Sequence, residues 1–303
     1  MFFYPPFEKA EDVDRALKAS YRTCTGLTRR QAKNFYYAFL TLPNKKRRAI
    51  YAVYAFCREA DDIADEAGEI KAKTTALHRL HDRLQKAASG EPDTPSDLAL
   101  SDAIAQYKID PTDLTDVIDG VEMDLTVSRY ASFEELRRYC RLVASAPGLA
   151  VLPILAHGRK EKAITKEDRE WATALGIGMQ LANIVRDIAE DLTTGRVYLP
   201  QEDLERFGVS EANLRERKAS EALRGLVAFE SARARAFLRE GETLLARLPR
   251  RSRGCPALLS AIYSRILNKI EANNYDVLTS RTSLSTCEKV WLMLHTWVKA
   301  VLR

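Results

Sequence analysis

Apolar residues recur along this chain at helical spacing. Ala49, Ile50, Val53, Tyr54 and Phe56 mark the apolar stripe of a predicted helix over 46–66, and a second helix is predicted over 73–87. The stretch Ala88 to Asp97 has turn composition and reads as a loop. Asp110-Pro111 supplies an N-cap followed by Pro at the first helical position. Ser132 with Glu135, and Thr165 with Asp168, have the spacing of capping boxes. The helix that opens at Thr165 runs to a stop signal at Thr193-Thr194-Gly195. Further helices are expected over about 219–246, 256–279 and 285–302. There is no alternating strand series, no repeat and no dividing linker, so the pattern predicts a single all-α domain over residues 1–303.

Composition narrows the function classes. With 46% hydrophobic residues the chain can bury a sizeable core. A net charge of +5 suits an anionic substrate or a membrane surface. No Lys/Arg run is interleaved with aromatics, so nucleic acid is not an expected partner. The five cysteines are scattered without CxxC spacing, which argues against zinc and for a reducing compartment. The start, Met1 to Glu8, lacks a basic region and is broken by prolines, so it does not read as a signal peptide. Together these give a cytoplasmic expectation, with peripheral contact on the inner face of a membrane as its extension. No stretch reaches about 18 uninterrupted apolar residues. The apolar tail from Lys289 to Arg303 is expected first to close the bundle, and second to rest on a membrane surface.

Two acidic clusters carry the candidate chemistry. Asp61 and Asp65 lie four residues apart in one predicted helix, and Asn183, Asp187 and Asp191 repeat that interval in another. Residues at i and i+4 share a helix face, where like charges repel by a few tenths of a kcal/mol, roughly, per pair. A feature that costs stability twice implies a cation between the clusters. Hard oxygen donors favour Mg²⁺, which binds through one or two carboxylates and substrate phosphates. Gly176-Ile177-Gly178 is a fragment of a nucleotide loop, but it sits within a helical pattern with no preceding strand. Glu59, Asp62, Glu66 and Glu190 are read as solvated neighbours rather than ligands. The four histidines share no metal spacing.

The segment Tyr51 to Asp65 resembles the first aspartate motif of the squalene/phytoene synthase family. Gln180 to Asp191, followed by Gly195-Arg196-Val197-Tyr198-Leu199-Pro200, resembles the second. The likeness runs from about Phe35 to Lys289. It implies a single-domain isoprenoid-synthase-type helical bundle with a central cavity, and a head-to-head joining of two prenyl diphosphates. It also implies that Asp61, Asp65, Asn183, Asp187 and Asp191 hold Mg²⁺ and diphosphate from opposite helices. Arg58, Arg186 and Arg196 match cations near the phosphates, and Arg281 and Lys289 match residues that bind diphosphate. Tyr54, Tyr139 and Tyr263 match positions at the catalytic centre. Gln180 belongs to the second motif, while Val143, Gly148 and Gly176 match positions where helices approach the prenyl chain. Lys33 and Phe35 fit the family's first-helix pattern, and Phe39, one turn on, is expected beside Phe35 on the prenyl cavity. Gln31 and Asn34 depart from it, where relatives carry His and Ser, and Pro147 stands where Val is commoner.

The resemblance leaves substrate length open. Asn34 to Tyr37 and Gly120 to Leu125 lean toward presqualene diphosphate synthases, which join two farnesyl units. Phytoene synthesis from two geranylgeranyl units is the alternative. Reduction to squalene needs NADPH, for which the chain carries no fingerprint. A terpene cyclase is disfavoured by Asp187 and Asp191, where that class carries Ser and Glu. A non-catalytic, membrane-associated assembly factor of the same fold is disfavoured because both aspartate motifs are intact.

Overall fold

The computed structural model describes residues 10–161 and 163–302. The expectation about Met1 to Glu8 lies outside the described residues. Within them the chain is helical and contains no strand. In order the helices are α1 (Ala10–Gln31), α2 (Lys33–Leu40), α3 (Asn44–Asp65), α4 (Ile70–Ala88), α5 (Pro95–Tyr107), α6 (Pro111–Asp124) and α7 (Phe133–Cys140). A π-turn, Arg141–Ser145, leads into α8 (Ala146–Ala156) and then α9 (Lys166–Asp191). The chain closes with α10 (Gln201–Arg206), α11 (Glu211–Arg215), α12 (Glu221–Glu242), α13 (Arg250–Ala272) and α14 (Thr286–Leu302).

Local chemistry explains most boundaries. The Asp110 carboxylate accepts from the Thr112 amide, and Pro111 opens α6. Ser132 accepts from the Glu135 amide, and Thr165 and Asp168 form a reciprocal capping box. α9 ends in a short 3₁₀ turn that Gly195 closes at φ 78°. Two expectations need correction. The loop predicted over 88–97 is shorter, because Thr94 and Asp97 form a capping box and Pro95 occupies the first position of α5. The helix predicted over 256–279 begins at Arg250 and ends at Ala272. Pro256 lies inside it rather than at its start, and left-handed Asn274 and Tyr275 break the chain beyond it.

α9 is the axis of the bundle, with α8, α12, α13 and the π-turn packed against it, while α3 rests on α1, α5, α6 and α8. Close approach requires glycine where α9 meets its neighbours. A Cβ on Gly176 would stand 2.6 Å from the Cα of Ser145 in the π-turn, and one on Gly241 of α12 would stand 2.6 Å from the Cα of Leu175. The continuous helix Phe133–Ala156 is the one described stretch long and apolar enough to cross a membrane, yet most of it is buried within the bundle. It reads as a core helix. Gly241→Ala is expected to lower stability by about 1–3 kcal/mol through overpacking, measured as a shift of the urea midpoint.

Candidate active site

α3 and α9 both supply an apolar face that turns polar toward the C-terminal end. On α3 the sequence is Ile50, Val53, Tyr54, Cys57 and Asp61; on α9 it is Ala172, Leu175, Gly176, Met179, Gln180 and Asn183. Eleven residues separate the ends of each set, so both faces extend about 16 Å at a helical rise of 1.5 Å per residue. They enclose a cavity of about 290 Å³. Phe35 and Phe39 of α2, Val117 and Val121 of α6, and Tyr263 of α13 also line it. The π-turn adds Val143, and α8 adds Gly148, where a Cβ would meet nothing within 4 Å. Phe39 packs edge-on against Tyr54, with ring centres 6.2 Å apart. Thus Phe35, Phe39, Tyr54, Asp61, Val143, Gly148, Gly176, Gln180, Asn183 and Tyr263 come together on one cavity.

The remote, apolar end is tied by a residue that sequence reasoning missed. Lys46, one turn before Ile50, donates to the carbonyls of Leu155 (2.9 Å) and His157 (2.7 Å) and to Ser252 Oγ (2.7 Å). It thereby joins α3 to the end of α8 and the start of α13, and neutralises the negative end of α8. Burial lowers its ammonium to about 8.

The polar end is a carboxylate rim. Neither α3 nor α9 carries a basic residue in its last turn, where the helix dipole would favour one. Arginines earlier on the same helices, and Arg281 from beyond α13, compensate in part. Arg58 pairs with Asp62 and lies 3.5 Å from Asp65. Arg186 donates from Nε to Asp187 at 2.8 Å, and Arg281 Nε donates to the same carboxylate at 2.8 Å. Arg281 also pairs with Glu190 at 3.2 Å. The Asp187 carboxyl is consequently held below the usual range, despite its burial. Glu59, not expected as a ligand, pairs with Arg83, which also bonds Asp97.

Asp61 and Asp191 lack such arginine hydrogen bonds. Asp61 opens onto the cavity but is crowded by protein, and desolvation with Asp65, Asp62 and Asp124 nearby pushes its carboxyl up to about 7. Asp191 is likewise pushed up to about 7 by desolvation and by Asp187, Glu190 and Asp124. Because Asp124 acts on both, the two acidic ridges face a common space. Asn183 Nδ2 donates to Gln180 Oε1 at 3.3 Å.

Asp124 itself was not foreseen as a site residue. It continues the face of α6 that places Val117 and Val121 on the cavity, and an acid in that register was the available signal. Its carboxylate accepts from Tyr139 Oη at 2.9 Å and from Tyr198 Oη at 3.1 Å, and Arg196 donates to its main-chain carbonyl at 3.1 Å. Tyr139 and Tyr198 stack with ring centres 5.3 Å apart. This corrects one expectation: Tyr139 is buried behind the cavity as a partner of Asp124 instead of lining the centre. Arg196 lies outside the lining with the rim acids Asp124 and Asp191 close by. Arg58, Asp65, Arg186, Asp187, Asp191 and Arg281 form the rim without lining the cavity. Lys289 lies half-buried in the first turn of α14, its amide donating to the Ser285 carbonyl, and is not a lining residue. The Lys33 and Asn34 side chains lie outside the described residues; Gln31 ends α1 and is exposed.

The donor set fits a hard divalent cation. Among the described residues no three His, Cys, Asp or Glu side chains converge tightly enough to enclose an ion by themselves. A cation here would be shared between one or two carboxylates and oxygens of an anionic ligand, the habit of Mg²⁺. Arg58 Nε is buried without a hydrogen-bond partner, a donor that an anion could satisfy.

Comparison with known proteins agrees with this geometry. The sequence profile described as Squalene/phytoene synthase matches residues 28–288. Phytoene synthase 3, chloroplastic, of Zea mays is 36% identical over 289 residues, covering 95% of this chain and 68% of that protein. The 15-cis-phytoene synthase of Synechococcus elongatus is 35% identical over 281 residues, covering 91% of each. A crystal structure of a dehydrosqualene synthase in complex with ligand superposes with a TM-score of 0.85 at 30% identity, over 96% of this chain and 99% of that one. The chain belongs to the squalene/phytoene synthase family. It is a prenyltransferase of the class that condenses prenyl diphosphates head to head.

The raised carboxyls set a sign for stability. Their folded pKa values exceed the unfolded value of about 4, so their favourable contribution is complete below pH ~4 and is lost as pH rises toward 7. In chelator, Asp61→Asn should therefore melt above the parent at pH 8, with the gap closing toward pH 4 in thermal scans. The same variant should lose roughly 10²–10³-fold in turnover. Asp124→Ala should cost about 1–3 kcal/mol in urea denaturation, because the buried Tyr139 hydroxyl loses its carboxylate acceptor.

Proposed function

We propose that this protein is a Mg²⁺-dependent phytoene synthase, joining two geranylgeranyl diphosphates and releasing two diphosphates. The observation that carries the reading is an apolar cavity whose only charged lining residue among the described residues is Asp61, at the rim, in a chain 34–37% identical to phytoene synthases along most of its length. This departs from the lean toward farnesyl units drawn from Asn34 to Tyr37 and Gly120 to Leu125. Those short segments resemble one branch of the family, whereas the likeness over the whole chain favours another. A C15 reading keeps two specific supports, the 30% identical dehydrosqualene synthase and a 33% identical squalene synthase of the same fold.

Asp61 and Asp65 on one ridge, and Asn183, Asp187 and Asp191 on the other, would hold the metal. Mg²⁺ bound there would neutralise charge growing on the departing diphosphate. Arg58, Arg186 and Arg281 offer fixed cations to the same oxygens. The first allylic C–O bond breaks as this charge is stabilised, and the allylic cation forms inside the cavity. Phe35, Phe39, Tyr54 and Tyr263 line that space with aromatic rings and exclude water from it. The double bond of the second substrate attacks, a proton is lost, and a cyclopropylcarbinyl diphosphate results. Its C–O bond then breaks in turn, and after rearrangement the C40 cation loses a proton to give the central double bond of phytoene. No hydride is consumed in these steps.

Incubation with geranylgeranyl diphosphate and Mg²⁺ should give phytoene without NADPH, and chelation should abolish turnover. Conversion of farnesyl diphosphate alone, read by mass spectrometry, would replace this reading with the C15 one. A head-to-tail product or no product from either substrate would remove it.

A further inference from the structure

α14 packs along α13 and against α2, burying Leu292. Its outward side is also apolar: Trp291, Leu294, Trp297 and Val298 are 62%, 57%, 44% and 44% exposed. Only seven large hydrophobic side chains are exposed among the described residues, and these four fall within eight positions. Leu40, a fifth, ends α2 next to Thr41. Thr41 and Trp297 both approach the Cβ position of Gly254, at 3.2 and 3.3 Å, so the end of α2 that carries Leu40 lies beside Trp297. Singly exposed apolar residues need no explanation, but a contiguous patch does.

The margin of this patch is basic. Arg250 and Arg251 lie one turn before Gly254, on the face of α13 that meets Trp297. Lys299 follows Trp297 by two residues, and Lys45 follows Thr41 by four. All four are exposed, and no carboxylate among the described residues pairs with any of them. The acid on α14, Glu288, is engaged by Lys269 at 3.0 Å and Arg265 at 3.5 Å. A second copy meeting this face about a two-fold axis would bring the same cations against each other. Tryptophans beside unpaired cations on an amphipathic helix match a lipid interface instead.

We propose that the outer side of α14, with Leu40 and the margin of Lys45, Arg250, Arg251 and Lys299, docks on a bilayer surface bearing anionic headgroups. The helix lies in the plane of the interface and does not cross it. α2 and α13, which α14 covers, carry Phe35, Phe39 and Leu259 of the cavity wall, so the docked face stands one helix layer from the cavity. The proposal holds for either substrate length.

The test uses the full chain and sedimentation with vesicles of phosphatidylcholine, alone or with about one quarter phosphatidylglycerol. Partitioning onto the anionic vesicles should be at least about tenfold stronger and should weaken as salt is raised. Tryptophan emission should shift to the blue on binding. Trp291→Ser/Leu294→Ser should lose about tenfold in partitioning while turnover in detergent is unchanged. Arg251→Glu/Lys299→Glu leaves the apolar packing intact, so it keeps the test decisive if the first variant fails to fold; it should erase the preference for anionic vesicles. Absence of parent binding, equal binding by the parent and the charge-reversed variant, or a dimer in solution that Trp291→Ser/Leu294→Ser dissociates would overturn the proposal.

Discussion

Two helices bring their negative ends, and their carboxylates, into one space. α3 and α9 each finish in acids where dipole physics favours bases, and Asp124 adds a further charge between them. The fold relieves this only in part. Arg186 and Arg281 satisfy Asp187, and Arg58 satisfies Asp62, while Asp61 and Asp191 remain short of a counter-charge. That residual imbalance lies beside the mouth of an apolar cavity, where an ionic ligand with a hydrocarbon tail finds both of its environments.

The rest of the bundle serves the dimensions of that space. α9 carries one whole ridge and is fixed by backbone-level contact with the π-turn at Gly176 and with α12 at Leu175. Lys46 draws α3, α8 and α13 together at the other extremity. The aromatic cluster of Tyr130, Tyr139 and Tyr198 supports Asp124 from behind, so its placement is a matter of packing as well as charge. Position at the rim is therefore set by residues that touch no ligand.

The ridges were legible in the sequence because their signal is local. Asp61 and Asp65, or Asp187 and Asp191, share a face by helical spacing alone, and capping residues at Asp110, Ser132 and Thr165 fixed helix starts within a turn. Thr94 and Asp97 carried the same kind of signal, but Gly90, Pro92 and Pro95 gave their surroundings the composition of a loop. Pro256 misled in the opposite sense, since proline usually opens a helix and here is carried inside one. Asp124 was signalled only by its register on α6, and Tyr198 and Lys46 were not legible as site residues. Their roles arise from partners 15 to 206 positions away, which a one-dimensional pattern does not contain. Substrate length was not legible for a related reason: it depends on a cavity wall assembled from several helices, of which the segments on α2 and α6 supply only a part.

Gly148 separates two properties that protein interiors usually couple. Its missing side chain leaves open room on the cavity wall, with no neighbouring atom within 4 Å to be displaced. A methyl group there would enter the cavity and touch no other part of the protein, so at this point the shape of the interior space is uncoupled from the packing that holds the bundle together.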